Sequence, residues 1–275
     1  MNKLNIVIGP TRAGTTWLYK ALSNDERISL PQGKELYFFD KNYTKGLPWY
    51  ESKFKEGREV FLDISPTYFQ NIDACHNVFS NYADAKIIVI VRNQLELLKS
   101  SYYFSRQHGK EVGDFSQFIR SDACLEFGYK EKLMQWESVF GVGSIKYLPF
   151  PMIVDDPKSF LASLYTAIEL DYIDDVYRNA LIDGKVNEGK KDLKPRSSML
   201  MSLVRVLGRG MVPIFGKEFL CAIRDSVMRK VLYKSEVTEA VKVNDSDIAY
   251  LRKRYKDDMD FLEKRVSFDL KFFEL

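Results

Sequence analysis

Residues 9–17 read Gly9-Pro10-Thr11-Arg12-Ala13-Gly14-Thr15-Thr16-Trp17 and join an apolar run, residues 4–9, to a segment of helical period, residues 15–22. A glycine-rich turn between a buried strand and a helix lets a ligand approach the backbone, and the helix start directs unpaired N–H groups and a positive dipole end at an anion. The stretch therefore predicts a phosphate-binding turn. A turn in which glycine and threonine only shape and cap the chain is the alternative.

The rest of the N-terminal half alternates short β-forming runs with longer segments of helical period. Such alternation predicts an α/β fold with a central, mainly parallel β-sheet flanked by helices. Ser65-Pro66 is expected to cap one helix, and Asn93 another that runs to about Arg106. Ligands of open α/β sheets bind beyond the carboxyl ends of the strands, so functional residues are expected on the turns at 9–16, 63–66 and 92–100. The predicted strands are residues 4–9, 59–62, 86–91 and 145–148.

From Asp155 onward the pattern predicts one helix after another. We expect a helical C-terminal half without strands of its own, packed on the same sheet, so that residues 1–275 form a single domain. The predicted helices are 157–170, 174–182, 199–207, 217–232 and 245–265, interrupted by a polar loop at 184–198.

Composition narrows the classes of function. The 275 residues carry 41 Lys+Arg against 38 Asp+Glu, a net charge of +3, which argues against a surface dedicated to nucleic acid. Three irregularly spaced cysteines and two distant histidines supply neither a disulfide framework nor a common zinc motif, so no metal is expected. Neither a secretory signal nor a spanning segment is recognisable, which predicts a cytoplasmic protein.

The spacing of Gly9 and Gly14 matches the GxxxxG of nucleoside-triphosphate P-loops. Those loops continue with Lys and then Ser or Thr, whereas Thr15 and Thr16 follow here and the only cation is Arg12. A magnesium-dependent nucleotide kinase with a degenerate P-loop is thus disfavoured but stays an alternative.

The stretch Thr11–Leu18 resembles the 5′-phosphosulfate loop of sulfotransferases that use 3′-phosphoadenosine 5′-phosphosulfate, which have a P-loop-like fold. The resemblance implies that Arg12 replaces the loop Lys or Arg of the family and stabilises charge at the bridging oxygen. It also implies that the donor is bound by Arg12, Ala13, Gly14, Thr15 and Thr16.

In this family the 3′-phosphate is bound by a strand-end Arg and a Ser eight residues later. Here Lys86–Val91 is followed by Arg92, and Ser100 comes eight positions further on. A guanidinium fork and a hydroxyl suit a phosphate. The alternatives are an Arg92 paired with a carboxylate and a Ser100 on a helix surface. Asn93-Gln94 stands where the family usually has Asp-Pro.

Residues 33–40, Gly-Lys-Glu-Leu-Tyr-Phe-Phe-Asp, resemble the Lys-Glu-x-x-Phe-Phe-Asp segment of heparan-sulfate-type and related bacterial sulfotransferases. The resemblance implies that Glu35 is the catalytic base and that Lys34 contacts the donor or the acceptor. An exposed charged pair is the alternative, and His108 is the alternative base. The segment departs from the family at Tyr37, where a His is frequent.

A second segment, Asp63-Ile64-Ser65-Pro66-Thr67-Tyr68-Phe69, is similar to the Glu-Lys-x-Pro-x-Tyr-Phe segment of that branch but has Ile64 in place of its Lys. The aromatic side chains nearby are expected in the core more often than on a sugar-binding platform. They are Tyr37, Phe38, Phe39, Trp49, Tyr50, Tyr68 and Phe69.

Two basic segments of the C-terminal half each allow a functional and a purely structural interpretation. The loop 187–196 lies where the family commonly closes over the nucleotide, which makes Lys190 and Arg196 candidate donor contacts, and a solvated linker explains it equally well. The segment 199–234 fits a packed helix pair with a solvated basic face better than peripheral contact with an anionic membrane or polymer.

Together these features predict in-line transfer of a sulfuryl group to a hydroxyl of a carbohydrate or of a glycosylated or lipid-like acceptor such as a glycolipid. The product nucleotide is then adenosine 3′,5′-bisphosphate. A non-catalytic nucleotide-binding protein is a further alternative, for which Ile64 and Tyr37 would be symptoms. The acceptor and the oligomeric state stay open.

Overall fold

The computed structural model describes residues 4–108, 110–177 and 241–273, and the backbone of residues 191–195 and 233–237. The chain divides into two compact units. The first comprises Met1–Leu98, Ile119–Asn187 and Asn244–Leu275, and the second comprises Lys99–Phe118 and Glu188–Val243. The single domain expected from the sequence therefore stays a prediction.

A five-stranded parallel sheet organises the first unit, which confirms the predicted fold class. Its strand order is β2-β3-β1-β4-β5, and every neighbouring pair is parallel. Because β1 lies in the middle, the chain segments that leave β1, β3 and β4 emerge side by side at one edge. The strands are β1 (Leu4–Ile8), β2 (Ile28–Ser29), β3 (Val60–Ile64), β4 (Lys86–Val91) and β5 (Ile145–Pro149).

The central strands are buried on both faces. All five residues of β1 and the last five of β4 are buried. Since successive side chains of a strand point to opposite faces, such continuous burial requires cover on each side. One face packs on apolar residues of helices α1 and α8, among them Leu18, Phe160 and Leu164.

The helices alternate with these strands. Those of the N-terminal half are α1 (Thr15–Leu22), α2 (Leu47–Glu51), α3 (Ile72–Asn81), α4 (Gln94–Gln107) and α5 (Phe115–Ile119). Those that follow are α6 (Lys130–Phe140), α7 (Pro151–Asp155), α8 (Pro157–Ala167) and α9 (Asp245–Glu263). Short π and 3-10 turns cover Phe38–Asn42, Tyr43–Lys45, Pro66–Gln70, Asp122–Phe127 and Leu270–Phe273.

The predicted cap at Ser65 is right in position, with Pro66 after it, but the capping hydrogen bond of its side chain is absent. Ser65 precedes the 3-10 turn Pro66–Gln70, but its hydroxyl donates to Asp63 at 2.6 Å instead of capping that turn. The cap of α3 is Asn71, whose side chain accepts hydrogen bonds from the N–H groups of Asp73 and Ala74. Asn93 behaves as predicted, since its Oδ1 accepts from the Glu96 N–H at 3.2 Å.

The expectation that the C-terminal half has no strands is wrong. In the second unit β6 (Lys191–Pro195) pairs antiparallel with β7 (Tyr233–Val237). Both segments are short and mix charged with apolar residues, so neither shows the apolar run from which the strands of the first unit were predicted. The helices predicted at 199–207 and 217–232 lie outside the described residues, as does the basic surface assigned to them.

Of the helices within the described ranges, none has the length and apolar character that crossing a bilayer would require.

Candidate active site

The turn after β1 has the geometry of an anion cradle. Gly9, Arg12 and Gly14 all have positive φ, of 143°, 72° and 82°. A Cβ on Gly9 would lie 3.2 Å from the carbonyl oxygen of Ile90, and a Cβ on Gly14 would lie 2.9 Å from Cδ1 of Ile153. Both positions therefore require glycine. Gly14 precedes α1 without a side-chain cap, so no side chain of the N-cap residue occupies the first amides of this helix, and such amides suit an anion.

Arg92, the residue after β4, is hydrogen-bonded to the turn after β1. Its Nη1 donates to the backbone carbonyl oxygen of Arg12 at 2.5 Å. Its guanidinium carbon lies 4.1 Å from the centre of the Phe150 ring. The Tyr129 hydroxyl accepts from the Arg92 N–H at 2.9 Å and donates to the Arg92 carbonyl at 2.8 Å. The acceptor of the Arg92 side chain is thus a backbone oxygen, not the carboxylate of the alternative interpretation.

Polar atoms beside this contact are buried without partners. Among the described residues, Nε of Arg92 and both amide atoms of Gln94 have no hydrogen-bond partner. Burial lowers the pKa of Arg92 and of Arg12, and the charge of Arg12 lowers the pKa of Arg92 further. Two desolvated guanidinium groups close to each other and a buried N–H donor fit an anionic ligand, since buried donors are normally satisfied.

Lys34 and Glu35 approach the same turn from the segment after β2. The Lys34 ammonium donates to Oγ1 of Thr16 at 3.0 Å and is paired with the Glu35 carboxylate. The Tyr37 hydroxyl donates to the other carboxylate oxygen of Glu35 at 2.6 Å. Burial and the contact with Glu35 raise the pKa of Tyr37, which keeps this donor protonated. The Lys34 and Glu35 side chains are each 21% exposed, so the exposed-pair interpretation is wrong.

A buried carboxylate lies at the end of β3. Asp63 accepts hydrogen bonds from Ser65 Oγ at 2.6 Å, the Tyr50 hydroxyl at 2.9 Å and the Tyr68 hydroxyl at 3.2 Å. Burial raises the pKa of Asp63 to about 6, although the three hydroxyl donors oppose that shift. The neighbouring Asp40 adds to the increase.

The structure brings together some of the predicted site residues. Arg12, Thr16, Lys34, Glu35 and Arg92 are linked by the contacts above, and Ala13 and Thr15 are buried beside them in the turn. Of the aromatic residues expected in the core, Phe38, Phe39, Tyr50, Tyr68 and Phe69 are fully buried.

Other predicted residues are in the second compact unit or are not described. Ser100 lies on the part of α4 that belongs to this unit. His108 follows the end of α4 in the same unit, and its Nδ1 is 2.8 Å from the Phe104 carbonyl oxygen. Their roles stay predictions. Lys190 and Arg196 lie outside the described residues.

Three residues of the site were not predicted from the sequence. Tyr129 directly precedes α6, and Phe150 directly follows β5. Neither residue belongs to a sequence motif, so only the structure shows their contacts with Arg92. Tyr68 was noted only as an aromatic residue, and no pattern indicates that its hydroxyl reaches Asp63. Within the described part of the chain, no three His, Cys, Asp or Glu side chains form a group that could hold a metal ion.

Residues 4–185 match the sulfotransferase domain family. Because this match covers more than half of the chain, the protein belongs to the sulfotransferase family, a family of enzymes. The resemblance stated from the sequence motifs is thereby confirmed.

Curated relatives match over parts of their length. The chain is 31% identical over 107 residues to the membrane-associated sulfotransferase kil1 of Dictyostelium discoideum, an alignment that covers 37% of this chain and 23% of the relative. It is 26% identical over 169 residues to the heparan sulfate glucosamine 3-O-sulfotransferase 3A1 of Mus musculus, covering 57% of this chain and 43% of the relative. The chain therefore spans less than half the length of these relatives.

Solved structures share the fold. A sulfotransferase from Alicyclobacillus acidocaldarius superposes with a TM-score of 0.54 at 17% identity, over 78% of this chain and 94% of that chain. The sulfotransferase domain from the curacin biosynthetic pathway superposes with a TM-score of 0.50 at 14% identity, over 68% and 79%. At these identities the likeness establishes the sulfotransferase fold.

Proposed function

We propose that this protein transfers a sulfuryl group from 3′-phosphoadenosine 5′-phosphosulfate to a hydroxyl of a carbohydrate or of a glycosylated or lipid-like acceptor. The observation that carries the proposal is the bond from Arg92 Nη1 to the Arg12 carbonyl at 2.5 Å, which joins the cation after β4 to the cradle after β1. A donor with phosphate groups on the 3′ and 5′ positions of one ribose needs two anion sites that are close to each other.

The chemistry of the site suits this donor. The cradle has no room for side chains at Gly9 and Gly14, which leaves backbone amides to face the 5′-phosphosulfate. The buried Nε of Arg92 and the buried amide of Gln94 lack partners among the described residues, and a 3′-phosphate would supply acceptors for their N–H groups. Ser100, Lys190 and Arg196 are proposed further contacts.

Sulfuryl transfer needs a base for the acceptor proton, cations where charge builds on the leaving phosphate, and in-line placement. We assign the base to Glu35 and the cations to Arg12 and Lys34. Lys34 bonds both to Thr16 of α1 and to Glu35, and this pair of contacts supports the assignment of a base next to the donor. His108 is the alternative base.

The acceptor class rests on relatives. The mouse heparan sulfate glucosamine 3-O-sulfotransferase 3A1, which matches this chain, is named for a carbohydrate acceptor, and residues 34–40 resemble the Lys-Glu-x-x-Phe-Phe-Asp segment of that branch. A cytoplasmic location, a metal-free reaction and peripheral contact with an anionic surface stay predictions, as does the absence of nucleic acid among the partners.

Thermal unfolding with added nucleotides tests the donor. Adenosine 3′,5′-bisphosphate without metal is expected to raise the melting temperature, because a ligand that binds only the folded state stabilises it. Stabilisation by ATP with magnesium alone would favour the kinase alternative and overturn the proposal.

Transfer of labelled sulfate tests the reaction. The acceptor panel comprises desulfated heparan polysaccharide, a neutral oligosaccharide, 4-nitrophenol and phosphatidylcholine vesicles that contain a glucosyl lipid. Labelling of at least one of these acceptors is expected. Nucleotide binding without transfer to any of them would instead support a non-catalytic nucleotide-binding protein.

A further inference from the structure

We propose that Asp63 is a positioning residue for Glu35 and that it acts through the Tyr68 hydroxyl on the segment that carries the Glu35 carboxylate. The inference rests on the proposed function, in which Glu35 is the base. It concerns a buried carboxylate that has no contact with Glu35 among the hydrogen bonds described above.

The segment that carries Glu35 has an unfavourable backbone. Glu35 has a φ of 63° and Tyr37 a φ of 50°, both in the left-handed region that residues with a Cβ seldom adopt. Such conformations persist only where the surrounding structure holds them. One contact is local, since Asn42 Nδ2 donates to the Leu36 carbonyl at 2.9 Å, and an anchor from outside the segment adds to it.

The anchor is at the start of the π turn Phe38–Asn42, directly after this strained turn. The first amides of a helical segment lack partners within it, and no side chain of the preceding Tyr37 caps them. The Tyr68 hydroxyl takes this role, since it accepts from the N–H of Phe38 at 3.1 Å and of Phe39 at 3.4 Å.

Asp63 fixes the direction of that hydroxyl. A hydroxyl has two lone pairs and one proton, so two accepted bonds leave the Tyr68 proton for an acceptor. This acceptor is Oδ2 of Asp63 at 3.2 Å. A carboxylate in this position aligns the Tyr68 hydroxyl for both amides.

The carboxylate is itself held in place. Ser65 Oγ donates to its Oδ1 at 2.6 Å, and the Tyr50 hydroxyl donates to its Oδ2 at 2.9 Å. The Ser65 N–H donates to the Val7 carbonyl at 3.0 Å, which ties this cluster to β1, the strand that opens into the cradle. A continuous series of hydrogen bonds thus runs from the central strand to the segment that carries the base.

Two tyrosines on the same carboxylate allow a matched comparison. Tyr50 and Tyr68 are both fully buried and both donate to Oδ2 of Asp63, but the Tyr68 hydroxyl also bonds to the amides of Phe38 and Phe39. A purely structural role for Asp63 predicts similar effects of Tyr50→Phe and Tyr68→Phe. A positioning role predicts different effects on turnover.

The experiment compares both variants with the wild type for kcat, donor KM, affinity for adenosine 3′,5′-bisphosphate and melting temperature, on the acceptor from the panel that the wild type labels fastest. Tyr68→Phe is expected to lower kcat by roughly tenfold to a hundredfold, the cost of misplacing a catalytic group by about 1 Å, with nucleotide affinity unchanged. Tyr50→Phe is expected to lower kcat much less, because Asp63 keeps its bonds to Ser65 and Tyr68 and the Tyr68 hydroxyl keeps both amides.

Asp63→Asn is a second variant with the same expected loss of kcat. The Asn amide has one oxygen acceptor and an NH₂ donor, so it cannot accept from Tyr50, Ser65 and Tyr68 in the way that the carboxylate does. The inference about Asp63 would be overturned by equal kcat values for Tyr50→Phe and Tyr68→Phe, or by an effect of Tyr68→Phe confined to melting temperature or donor KM. Neither result would affect the proposed function. Absence of transfer by the wild type would overturn the proposed function and the inference with it.

Discussion

Arg92 bonds through Nη1 to the backbone carbonyl of Arg12 at 2.5 Å, so a side chain from one strand end holds the turn that follows its neighbour. Phe150 lies under the same guanidinium and also borders Gly14, since a Cβ there would come within 3.1 Å of its ring. These contacts fix the segments after β1 and β4 relative to each other, which on the proposed assignment would reduce the ordering cost of nucleotide binding.

Arg92→Ala is expected to weaken the binding of adenosine 3′,5′-bisphosphate by about 1.5–3 kcal/mol, the scale of a hydrogen bond to a charged group. Titration calorimetry measures this change. Arg265→Ala is the control, because Arg265 pairs with Glu137 at 2.7 Å and has no bond to the cradle. Equal nucleotide affinity of Arg92→Ala and the wild type would contradict the 3′-phosphate assignment.

Tyr129→Phe is expected to lower both stability and nucleotide affinity. The lost hydroxyl leaves the N–H and the carbonyl of Arg92 without their partner, at a cost of about 1–3 kcal/mol in the free energy of unfolding. Tyr255→Phe, which removes a buried bond to the Cys124 carbonyl at 2.8 Å, is expected to cost stability alone. Urea unfolding measures the stability of the two variants, and calorimetry measures their nucleotide affinity. Equal nucleotide affinities would show that Tyr129 does not support donor binding.

Gly14→Ala combines two penalties, a positive φ and a clash. Left-handed backbone costs about 1–2 kcal/mol for a residue with a Cβ, and overpacking adds about 1–3 kcal/mol. Gly57→Ala separates them, since Gly57 has a φ of 75° but no atom within 4 Å of a built Cβ. Urea unfolding is expected to show the larger loss for Gly14→Ala, and equal losses would mean that Ile153 and Phe150 move aside.

Asp63 is expected to make stability depend on pH in the direction opposite to a paired carboxylate. Burial raises its pKa from 3.8 to about 6, so the folded state binds the proton more tightly than the unfolded chain. Protonated Asp63 therefore contributes to the free energy of unfolding below pH ~4, and this contribution is lost as the pH rises through about 6. The stability of the wild type relative to Asp63→Asn should therefore fall by about 2 kcal/mol between pH 4.5 and pH 7.

Asp25→Asn is the control for this measurement. Burial opposes the shift, but hydrogen bonds from Arg27 and Tyr165 outweigh it and lower the pKa of Asp25. Asp25 is then ionised in both states from pH 4.5 to pH 7, so its stability difference should stay constant in this range. If the stability difference between the wild type and Asp63→Asn were also constant over this pH range, the pKa of Asp63 would not be raised in the folded state.

Glu35→Gln is expected to abolish turnover and to leave nucleotide binding intact, because the amide keeps the shape of the side chain but is a poor base. Glu51→Gln, whose carboxylate accepts from the Tyr82 hydroxyl at 2.8 Å, serves as the control and should keep turnover. Labelled-sulfate transfer and calorimetry measure the two properties. Unchanged turnover of Glu35→Gln would reassign the base to His108 or to another group.

The fold was predictable where burial leaves a continuous signal. β1 and β4 are apolar except for Asn5 and Lys86 because both faces of the sheet are buried there, and β4 matches its predicted bounds. β2 comprises only Ile28–Ser29 and is too short to give a pattern. The pair β6 and β7 carries charged residues throughout and resembles a loop in composition.

The site was predictable where contacts are local in sequence. The cradle of residues 9–16 and the strand-end Arg92 are read from short motifs. The bonds of Tyr129 to Arg92 and of Lys34 to Thr16 join residues 37 and 18 positions apart. Ser65 shows the limit of local rules, since its hydroxyl bonds to Asp63 and not to the turn it precedes.

The strand order has a consequence for engineering. The donor-side elements follow β1 and β4, whereas residues 33–54 form an excursion between β2 and β3 on the other flank of β1. On the proposed assignment, acceptor selection depends on residues 33–54, and nucleotide binding depends on the segments that follow β1 and β4. Chimeras that exchange only this excursion for that of a related enzyme should acquire a different acceptor preference while they retain the nucleotide affinity of the parent.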